Sequence, residues 1–244
     1  MSRVFVTGSA DGLGRGAAVE LLDEGHRVVV HARDEHRLTA LRDLLDRGAE
    51  AVVGDLADAA QTRSVADQVN RLGRMDAVIH NAGVINGPGV LAVNVLAPYV
   101  LTALIERPGR LVYLSSGMHR GGRSGASALD WAADGSSVSY SDSKLLVSAL
   151  SAAVARRWPD VLSNAVDPGW VPTRMGGRSA PDDLVLGHRT QVWLATSDDP
   201  EARTSGGYWH HQRRETPQRA VLDQGFQDQL LAALAQRTGT PLSD

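Results

Sequence analysis

Short apolar runs rich in β-branched residues alternate with longer amphipathic stretches along most of the chain. The apolar runs are bounded by turn residues and predict buried strands, whereas apolar residues at helical spacing predict helices. Strands are predicted at residues 4–6, 27–31, 51–53, 75–80, 110–114, 162–166 and 207–209, and helices at residues 12–24, 34–47, 57–72, 91–106, 138–157, 181–196 and 226–236. This repeating order predicts a parallel sheet covered by helices on both faces.

The composition narrows the classes of protein to which this pattern can belong. The 244 residues are 43% hydrophobic and 22% charged, which is typical of one globular domain over residues 1–244. A net charge of −3 without a basic stripe disfavours nucleic acid, and no apolar run reaches the roughly 20 residues that span a membrane. The absence of cysteine excludes disulfides and thiol chemistry. Met1 leads into a strand rather than a signal peptide, which predicts a cytoplasmic location and small-molecule partners.

A glycine-rich turn lies between the first predicted strand and the first predicted helix, in the string Thr7-Gly8-Ser9-Ala10-Asp11-Gly12-Leu13-Gly14. Glycines there allow a tight turn, a close approach of the backbone to a pyrophosphate, and close packing of helix on sheet. The alternative is a plain strand-to-helix turn, but its position at the first such turn favours dinucleotide binding. The candidate cofactor-binding residues of this turn are Gly8, Ser9, Asp11, Gly12, Leu13 and Gly14.

The second predicted strand ends in His31-Ala32-Arg33. An NAD-binding site usually has an acidic residue there, which binds the ribose 2′-hydroxyl, whereas an arginine suits a 2′-phosphate. We therefore expect NADP(H) to be preferred over NAD(H), the alternative being that Arg33 is only a solvated residue before a helix. Asp11 opposes this expectation unless its carboxylate points away from the phosphates.

One pair of residues stands out because only one of the 25 basic residues, Lys144, is a lysine. It follows Tyr140 by four residues, so a helix would place both side chains on one face. A tyrosine with an ordinary pKa of about 10 exchanges protons poorly near neutrality, and a nearby ammonium favours its phenolate form. The pair is therefore a candidate acid–base centre in which Lys144 lowers the pKa of Tyr140.

Further motifs follow the predicted strands in order: Asp55-Leu56, Asn81-Ala82-Gly83, Asn94, Ser115-Ser116 and Pro168-Gly169. With the glycine turn and the Tyr140/Lys144 pair, they make the chain resemble the short-chain dehydrogenase/reductase family from Val4 to about Trp209. The resemblance implies an α/β, single-domain Rossmann fold with a doubly wound parallel seven-stranded sheet in the order 3-2-1-4-5-6-7. The cofactor-binding residues that it implies are Asp55, Leu56, Asn81, Ala82, Gly83, Tyr140, Lys144, Pro168, Gly169, Val171 and Thr173.

The catalytic residues that the resemblance implies are Asn94, Ser116, Tyr140 and Lys144. Tyr140 would exchange the proton that accompanies hydride transfer, and Ser116 would hold the substrate oxygen, although Ser115 competes for that place. In the family an asparagine connects the lysine to a proton relay through a water, which here implies Asn94. The alternative is that Asn94 only marks a kink within a helix.

The spacing departs from the family pattern on both sides of the catalytic serine. The 12 residues between Asn81 and Asn94 are fewer than usual, which puts in doubt the position of Asn94 and a tetramer-forming helix surface, so we expect a monomer or homodimer. The 23 residues between Ser116 and Tyr140 resemble retinol-dehydrogenase-like and carbonyl-reductase-like members, and residues 117–139 are expected to wall the substrate pocket. Residues 174–200, with glycines at their start, resemble the family's substrate lid.

Several side chains in the last third of the chain are candidates for contact with a substrate or for metal binding. Trp170, Met175 and Trp193 would present apolar surface to a bulky substrate, although such residues are more often core. His210 and His211 are not expected to bind a metal, because neighbours on a strand point to opposite faces and no carboxylate or cysteine cluster accompanies them. No metal site is predicted.

These features predict an NADP(H)-dependent oxidoreductase that interconverts a ketone or aldehyde and an alcohol by hydride transfer. We expect a carbonyl reductase that acts on a moderately large apolar or aromatic substrate. The alternatives are an NAD(P)-dependent alcohol dehydrogenase acting oxidatively and a non-catalytic dinucleotide-sensing relative. The presence of both Tyr140 and Lys144 argues against the second alternative.

Overall fold

The computed structural model describes residues 1–129, 131 and 138–243, and a single mixed sheet lies at its centre. The strands are β1 (Arg3–Val6), β2 (Arg27–Ala32), β3 (Glu50–Val53), β4 (Ala77–His80), β5 (Arg110–Leu114), β6 (Leu162–Asp167), β7 (Tyr208–His210) and β8 (Arg213–Glu215). Their order across the sheet is β3-β2-β1-β4-β5-β6-β7-β8. All pairings from β3 to β7 are parallel, which confirms the predicted order of the first seven strands.

The eighth strand corrects the prediction of a seven-stranded sheet. β8 pairs with β7 in the antiparallel direction. Its residues are all charged and exposed, so it carries no apolar signal in the sequence. It forms because His211 and Gln212 have φ angles of 46° and 60°, and two such residues reverse the chain in a tight hairpin.

The helices follow the predicted alternation, with two differences in form. They are α1 (Gly12–Asp23), α2 (Arg42–Asp46), α3 (Ala59–Leu72), α4 (Ala97–Leu104), α5 (Tyr140–Arg157), α6 (Leu184–Thr196) and α7 (Gln224–Thr238). The predicted helix at residues 34–47 is a 3-10 segment, Glu35–Leu41, followed by the short α2. The predicted helix at residues 91–106 begins with a π-turn, Ala92–Leu96, because Pro98 lacks the N–H that an α-helix would direct at the Asn94 carbonyl.

Apolar side chains cover both faces of the sheet, as the alternation along β1 illustrates. Val4 and Val6 pack with α1 and α6 on one face, whereas Phe5 belongs to the core formed with α3, α4, α5 and α7 on the other. Because both faces are covered, the edge at the carboxyl ends of the strands is where a ligand site can form. Within the described ranges, no helix combines the length and the apolar character needed to cross a membrane.

Candidate active site

A cavity of about 500 Å³ opens at the carboxyl edge of the sheet. It lies at β1 and β4, where the strand order reverses and where ligands of doubly wound folds bind. The predicted cofactor-binding residues that line it are Gly8, Asp11, Gly12, Leu13, Arg33, Asp55, Leu56, Asn81, Ala82, Gly83, Tyr140, Lys144, Pro168 and Thr173. Folding therefore brings residues that are far apart in the sequence into one cavity.

The glycine turn forms part of the cavity wall through its backbone. Gly8 and Gly12 have φ angles of +66° and +55°, in the left-handed region that favours glycine. A Cβ at Gly14 would lie 2.3 Å from Nδ2 of Asn81, and one at Gly8 would lie 3.0 Å from Cα of Ala82. The cradle left by these glycines, with the N-terminus of α1 beside it, fits the diphosphate of a nicotinamide dinucleotide.

Four predicted cofactor-binding residues do not line the cavity: Ser9, Gly14, Gly169 and Val171. Ser9 is fully buried, and its hydroxyl donates to the Val6 carbonyl while accepting a hydrogen bond of 3.0 Å from the His31 N–H. The Ser9 hydroxyl therefore joins β1 to β2, and a contact of Ser9 with the cofactor stays a prediction. Val171 is likewise buried.

The end of the cavity beside β2 carries two arginines, of which the sequence analysis identified only Arg33. The Arg33 side chain is 68% exposed, and its Nε lies 3.5 Å from a carboxylate oxygen of Asp34. Arg37 also lines the cavity, and its Nη2 lies 2.8 Å from Oδ2 of Asp11. This ion pair offsets the repulsion that Asp11 would exert on a phosphate. The sequence signal that could have indicated Arg37 is its position four residues after Arg33.

Tyr140 and Lys144 lie one turn apart at the start of α5, which Ser139 begins with a capping box. The Lys144 Nζ lies 5.4 Å from the centre of the Tyr140 ring and donates a hydrogen bond of 2.7 Å to the Leu114 carbonyl. Burial lowers the pKa of Lys144 to about 8. The ammonium is therefore still charged at neutral pH.

The expected lowering of the Tyr140 pKa by Lys144 does not occur in this structure. Burial raises the pKa of Tyr140, a hydrogen bond with Ser116 lowers it, and the charge of Asp167 raises it. The Lys144 Nζ is directed at the Leu114 carbonyl and does not offset the burial. The phenol is consequently protonated at neutral pH, which is the state that can donate a proton to a substrate oxygen.

The two neighbouring serines differ in their hydrogen bonds. Ser115 is buried, and its hydroxyl bonds to the Ser148 hydroxyl at 2.7 Å and donates to the Lys144 carbonyl at 3.2 Å. Ser116 is half-buried, and its Oγ accepts a hydrogen bond of 3.2 Å from the Met118 N–H. Ser115 thus holds α5 against β5, whereas the Ser116 hydroxyl retains its hydrogen for another acceptor.

Asn94 lies in the π-turn and is placed beside Lys144 despite the shortened segment before it. Its Oδ1 accepts from the Val84 N–H at 2.8 Å, and its Nδ2 donates to the Val84 carbonyl and to the Ser143 hydroxyl, both at 2.9 Å. Gly83 lies between Asn94 and Lys144, because a Cβ there would be 3.4 Å from Oδ1 and 3.5 Å from Nζ. The alternative of a simple kink residue does not account for this placement.

Asp167 is a charged residue of the site that the sequence analysis missed. It ends β6, and its Oδ1 accepts a hydrogen bond of 3.0 Å from the Gly169 N–H. Its Oδ2 lies 3.9 Å from Nδ1 of His210 and would lie 3.0 Å from a Cβ at Gly117. Its charge raises the pKa of both Lys144 and Tyr140, opposing burial at Lys144 and adding to burial at Tyr140. Only its place directly before Pro168-Gly169 could have drawn attention to it.

The apolar residues expected around a substrate divide into two groups. Trp170 and Met175 are 57% and 41% exposed, and Met175 places its sulfur 4.0 Å from the Tyr140 hydroxyl. Trp193 instead packs edge-on against Trp209 at 5.2 Å, so the expectation that it contacts a substrate is wrong.

The segment expected to wall the pocket, residues 117–139, is described only in part, because residues 130 and 132–137 lie outside the described residues. Met118 is exposed beside Ser116. His119 and Trp131 are buried, and Trp131 belongs to the core.

The argument that His210 and His211 point to opposite faces is wrong. Their rings stack with centres 3.9 Å apart, because the left-handed backbone of His211 turns it out of the strand. Across the described residues, no group of three or more histidine, cysteine, aspartate or glutamate side chains could hold a metal ion.

Comparison with known proteins agrees with the motifs and the fold. The model of a family described as short chain dehydrogenase matches residues 2–183. The short-chain dehydrogenase chry4 of Gibberella zeae is 34% identical over 256 residues, covering 99% of each chain. The NADPH-dependent pterin aldehyde reductase of Arabidopsis thaliana is 30% identical over 228 residues, covering 80% of this chain and 89% of that protein. An uncharacterized protein from Mycobacterium paratuberculosis has a similar solved structure, with a TM-score of 0.82 and 25% identity over 100% of this chain and 96% of that one.

Proposed function

We propose, for a chain that belongs to the short-chain dehydrogenase/reductase family, that this protein is an NADP(H)-dependent carbonyl reductase. Its substrate would be a moderately large apolar or aromatic ketone or aldehyde. The observation that carries the proposal is that Tyr140 and Lys144 line the same cavity as Arg33 and Arg37, with Ser116 hydrogen-bonded to Tyr140.

A nicotinamide dinucleotide would supply the hydride in this reaction. The turn at Gly8 and Gly12 would hold its diphosphate, and Lys144 would anchor the ribose next to the nicotinamide. Two guanidinium groups, Arg33 and Arg37, support a preference for the 2′-phosphate of NADP(H). The similarity to the NADPH-dependent pterin aldehyde reductase of Arabidopsis thaliana, which is 30% identical, also supports NADPH.

Three side chains would handle the proton and the substrate oxygen. The Ser116 hydroxyl accepts from the Met118 N–H, and its own hydrogen, which bonds to Tyr140 in this structure, would bind the substrate carbonyl oxygen when a substrate is present. The protonated phenol of Tyr140 would donate its proton to that oxygen as negative charge develops there. The buried ammonium of Lys144, 5.4 Å from the centre of the Tyr140 ring, would lie beside the phenolate that remains.

The size and polarity of the substrate follow from the side chains at the mouth of the site. Met118, bonded through its N–H to Ser116, and Met175, with its sulfur 4.0 Å from the Tyr140 hydroxyl, expose apolar surface, and Trp170 adds exposed apolar surface beside Gly176. Exposed apolar surface that converges on a few polar groups is typical of a site for a largely apolar ligand. Reduction is the proposed direction, because Arg33 and Arg37 favour the phosphorylated cofactor, which is usually kept reduced in cells.

The direct test is to follow NADPH oxidation with a panel of aromatic and aliphatic ketones and aldehydes, and NADP⁺ reduction with the matching alcohols. We expect reduction of the aromatic members with NADPH. Turnover only in the alcohol direction would support the oxidative alternative. Tight NADPH binding without turnover in either direction would contradict an enzyme and support a dinucleotide sensor.

Tyr140→Phe is the control for this assay. The variant should lose about 1,000-fold or more in kcat, within the range typical of a lost proton donor, while its Kd for NADPH stays nearly unchanged. Activity close to wild type would show that another group supplies the proton.

A further inference from the structure

His119 is a buried imidazole three residues after Ser116, and none of the roles described above uses it. It lies in the 3-10 segment Gly117–Gly121 and has no exposed surface. A buried ring needs hydrogen-bond partners for both nitrogens. Those partners indicate what the residue does.

The hydrogen bonds of the ring fix the nitrogen that carries its hydrogen. The backbone N–H of Gln218 lies 3.0 Å from Nε2, and because a backbone N–H can only donate, Nε2 must accept. A neutral imidazole then carries its hydrogen on Nδ1. Nδ1 lies 2.8 Å from the Ser116 carbonyl oxygen and donates to it.

The Ser116 backbone is therefore held from more than one side. Its carbonyl accepts from the His119 ring at 2.8 Å and from the His119 N–H at 3.0 Å. Its Oγ accepts from the Met118 N–H at 3.2 Å. These three bonds set the direction of the Ser116 hydroxyl, whose hydrogen bonds to Tyr140 in this structure and would bind a substrate oxygen at the same place.

The other side of the ring contacts residues 213–218, which we call the C-terminal strap. Arg120 donates to the Thr216 carbonyl at 2.8 Å and to a Glu215 carboxylate oxygen at 3.2 Å, and the Gln218 side chain donates to the Gly122 carbonyl at 2.9 Å. The ring also packs against Tyr208 with centres 4.5 Å apart. His119 thus connects the strap to Ser116 through the hydrogen bonds of its two ring nitrogens.

Burial keeps the His119 ring neutral. Burial lowers the pKa of His119, the bond to the Ser116 carbonyl raises it, the Arg120 charge lowers it, and the charges of Asp167 and Glu215 raise it, with a net lowering. The neutral form is the one that these hydrogen bonds require, because a proton on Nε2 would face the N–H of the strap.

We propose that His119 is a positioning residue that aligns Ser116 for the reduction, and that the strap holds it in the required tautomer through the Gln218 N–H. This rests on the proposed function for its effect on turnover, but the tautomer itself does not. The strap, which includes the unpredicted strand β8, thereby becomes part of the active site.

A single backbone N–H can be removed to test this. Gln218 has a φ of −57°, which proline adopts without strain, and its N–H donates only to His119 among the described residues. Gln218→Pro removes that N–H together with the side-chain amide, and Gln218→Ala removes the amide alone. We expect kcat of the proline variant to fall about tenfold below that of the alanine variant, with unchanged NADPH Kd. Equal kcat values in the two variants would overturn the proposal.

Substitutions of the ring separate its two bonds. His119→Asn keeps a donor near the position of Nδ1, whereas His119→Phe keeps the ring against Tyr208 and loses both bonds. We expect the phenylalanine variant to lose about 100-fold in kcat with little change in NADPH Kd, and the asparagine variant to recover part of it. An asparagine variant no better than the phenylalanine variant would contradict the role assigned to the Ser116 bond.

Nitrogen-15 NMR of histidine-labelled protein tests the tautomer without any substrate. The His119 signal, assigned by its loss in His119→Phe, should show a neutral ring with hydrogen on Nδ1 at pH 7. A charged ring or hydrogen on Nε2 would overturn the proposal whatever the activity. The expected tautomer in a protein that reduces no carbonyl would instead contradict the proposed function alone.

Discussion

The site has a cofactor side, formed at the ends of β1, β2 and β4, and a substrate side, which comprises Ser116, Tyr140, Lys144 and the residues that act on them, such as His119 and Asp167. The cofactor side is shaped mainly by backbone, since Gly8 and Gly12 take left-handed angles and α1 begins at the cavity. The substrate side is shaped by side chains that hold neighbouring backbone, as the bonds of His119 to the Ser116 carbonyl and of Asp167 to the Gly169 N–H illustrate. A substitution on the cofactor side should therefore affect cofactor binding, and a substitution on the substrate side should affect turnover.

Lys144→Arg tests the substrate side most severely. The Nζ donates to the Leu114 carbonyl and lies 3.5 Å from where a Cβ at Gly83 would be, so a larger planar guanidinium does not fit although it keeps the charge. We expect kcat to fall at least about 100-fold. NADPH oxidation at saturating ketone measures it.

Arg156→Lys, the reverse exchange at an exposed position of the same helix, is the matched control and should keep wild-type kcat. Arg156 bonds only to Gln227 and Asp228 among the described residues, away from the cavity. A Lys144→Arg variant with nearly full kcat would mean that charge alone is sufficient at this position.

Gly12→Ala tests the cofactor side, with Gly25→Ala as its control. Both glycines have positive φ, at +55° and +78°, so both variants should lose about 1–2 kcal/mol of unfolding free energy. Only Gly12 lines the cavity, and a Cβ there would meet Thr173 at 3.3 Å, whereas nothing lies within 4 Å of one at Gly25. We expect NADPH Kd to rise about tenfold or more in Gly12→Ala and to stay unchanged in Gly25→Ala, as calorimetric titration would measure.

The difference between local backbone signals and contacts of distant side chains also explains which parts of the structure the sequence predicted. Parallel strands and the glycine turn have local signals, because buried strands are continuously apolar and left-handed turns need glycine. β8 has no such signal, since it is three exposed charged residues positioned by a two-residue turn.

Residues that act through distant partners were missed for a related reason. The role of Arg37 at the cavity depends on its ion pair with Asp11, 26 positions away. The role of Asp167 depends on the effect of its charge on Lys144 and Tyr140, which lie on another element. Nothing in their own neighbourhoods in the sequence reveals those partners. The Tyr140 pKa was predicted in the wrong direction because the extent of burial was not known from sequence.

Arg37→Gln tests the ion pair between Arg37 and Asp11 on the cofactor side. Removing Arg37 takes away a cation and leaves the Asp11 carboxylate, 2.8 Å away, unpaired beside the cavity. The ratio of kcat/KM with NADPH to that with NADH should fall about tenfold, and less in Arg33→Gln, whose side chain is 68% exposed compared with 37% for Arg37.

The double variant with Asp11→Asn should recover part of the loss in Arg37→Gln. Arg47→Gln removes a comparable exposed partner, of Asp23, and should leave the ratio unchanged. An unaltered ratio in Arg37→Gln would show that this arginine does not contact the 2′-phosphate.

Asp167→Asn has the smallest expected effect and tests the charge of the substrate side. Asp167 raises the pKa of Lys144, which burial lowers to about 8, and also raises that of Tyr140. Reduction needs both groups protonated, so activity is lost as the pH rises through the lower of the two pKa values. Without Asp167 both values fall, and the alkaline limb of kcat/KM should move to lower pH, giving a several-fold loss near pH 8 and little loss at pH 6. Glu215→Gln, which removes a carboxylate of the strap, should leave the limb in place, whereas an unmoved limb in Asp167→Asn would show that its charge does not act on the acid–base pair.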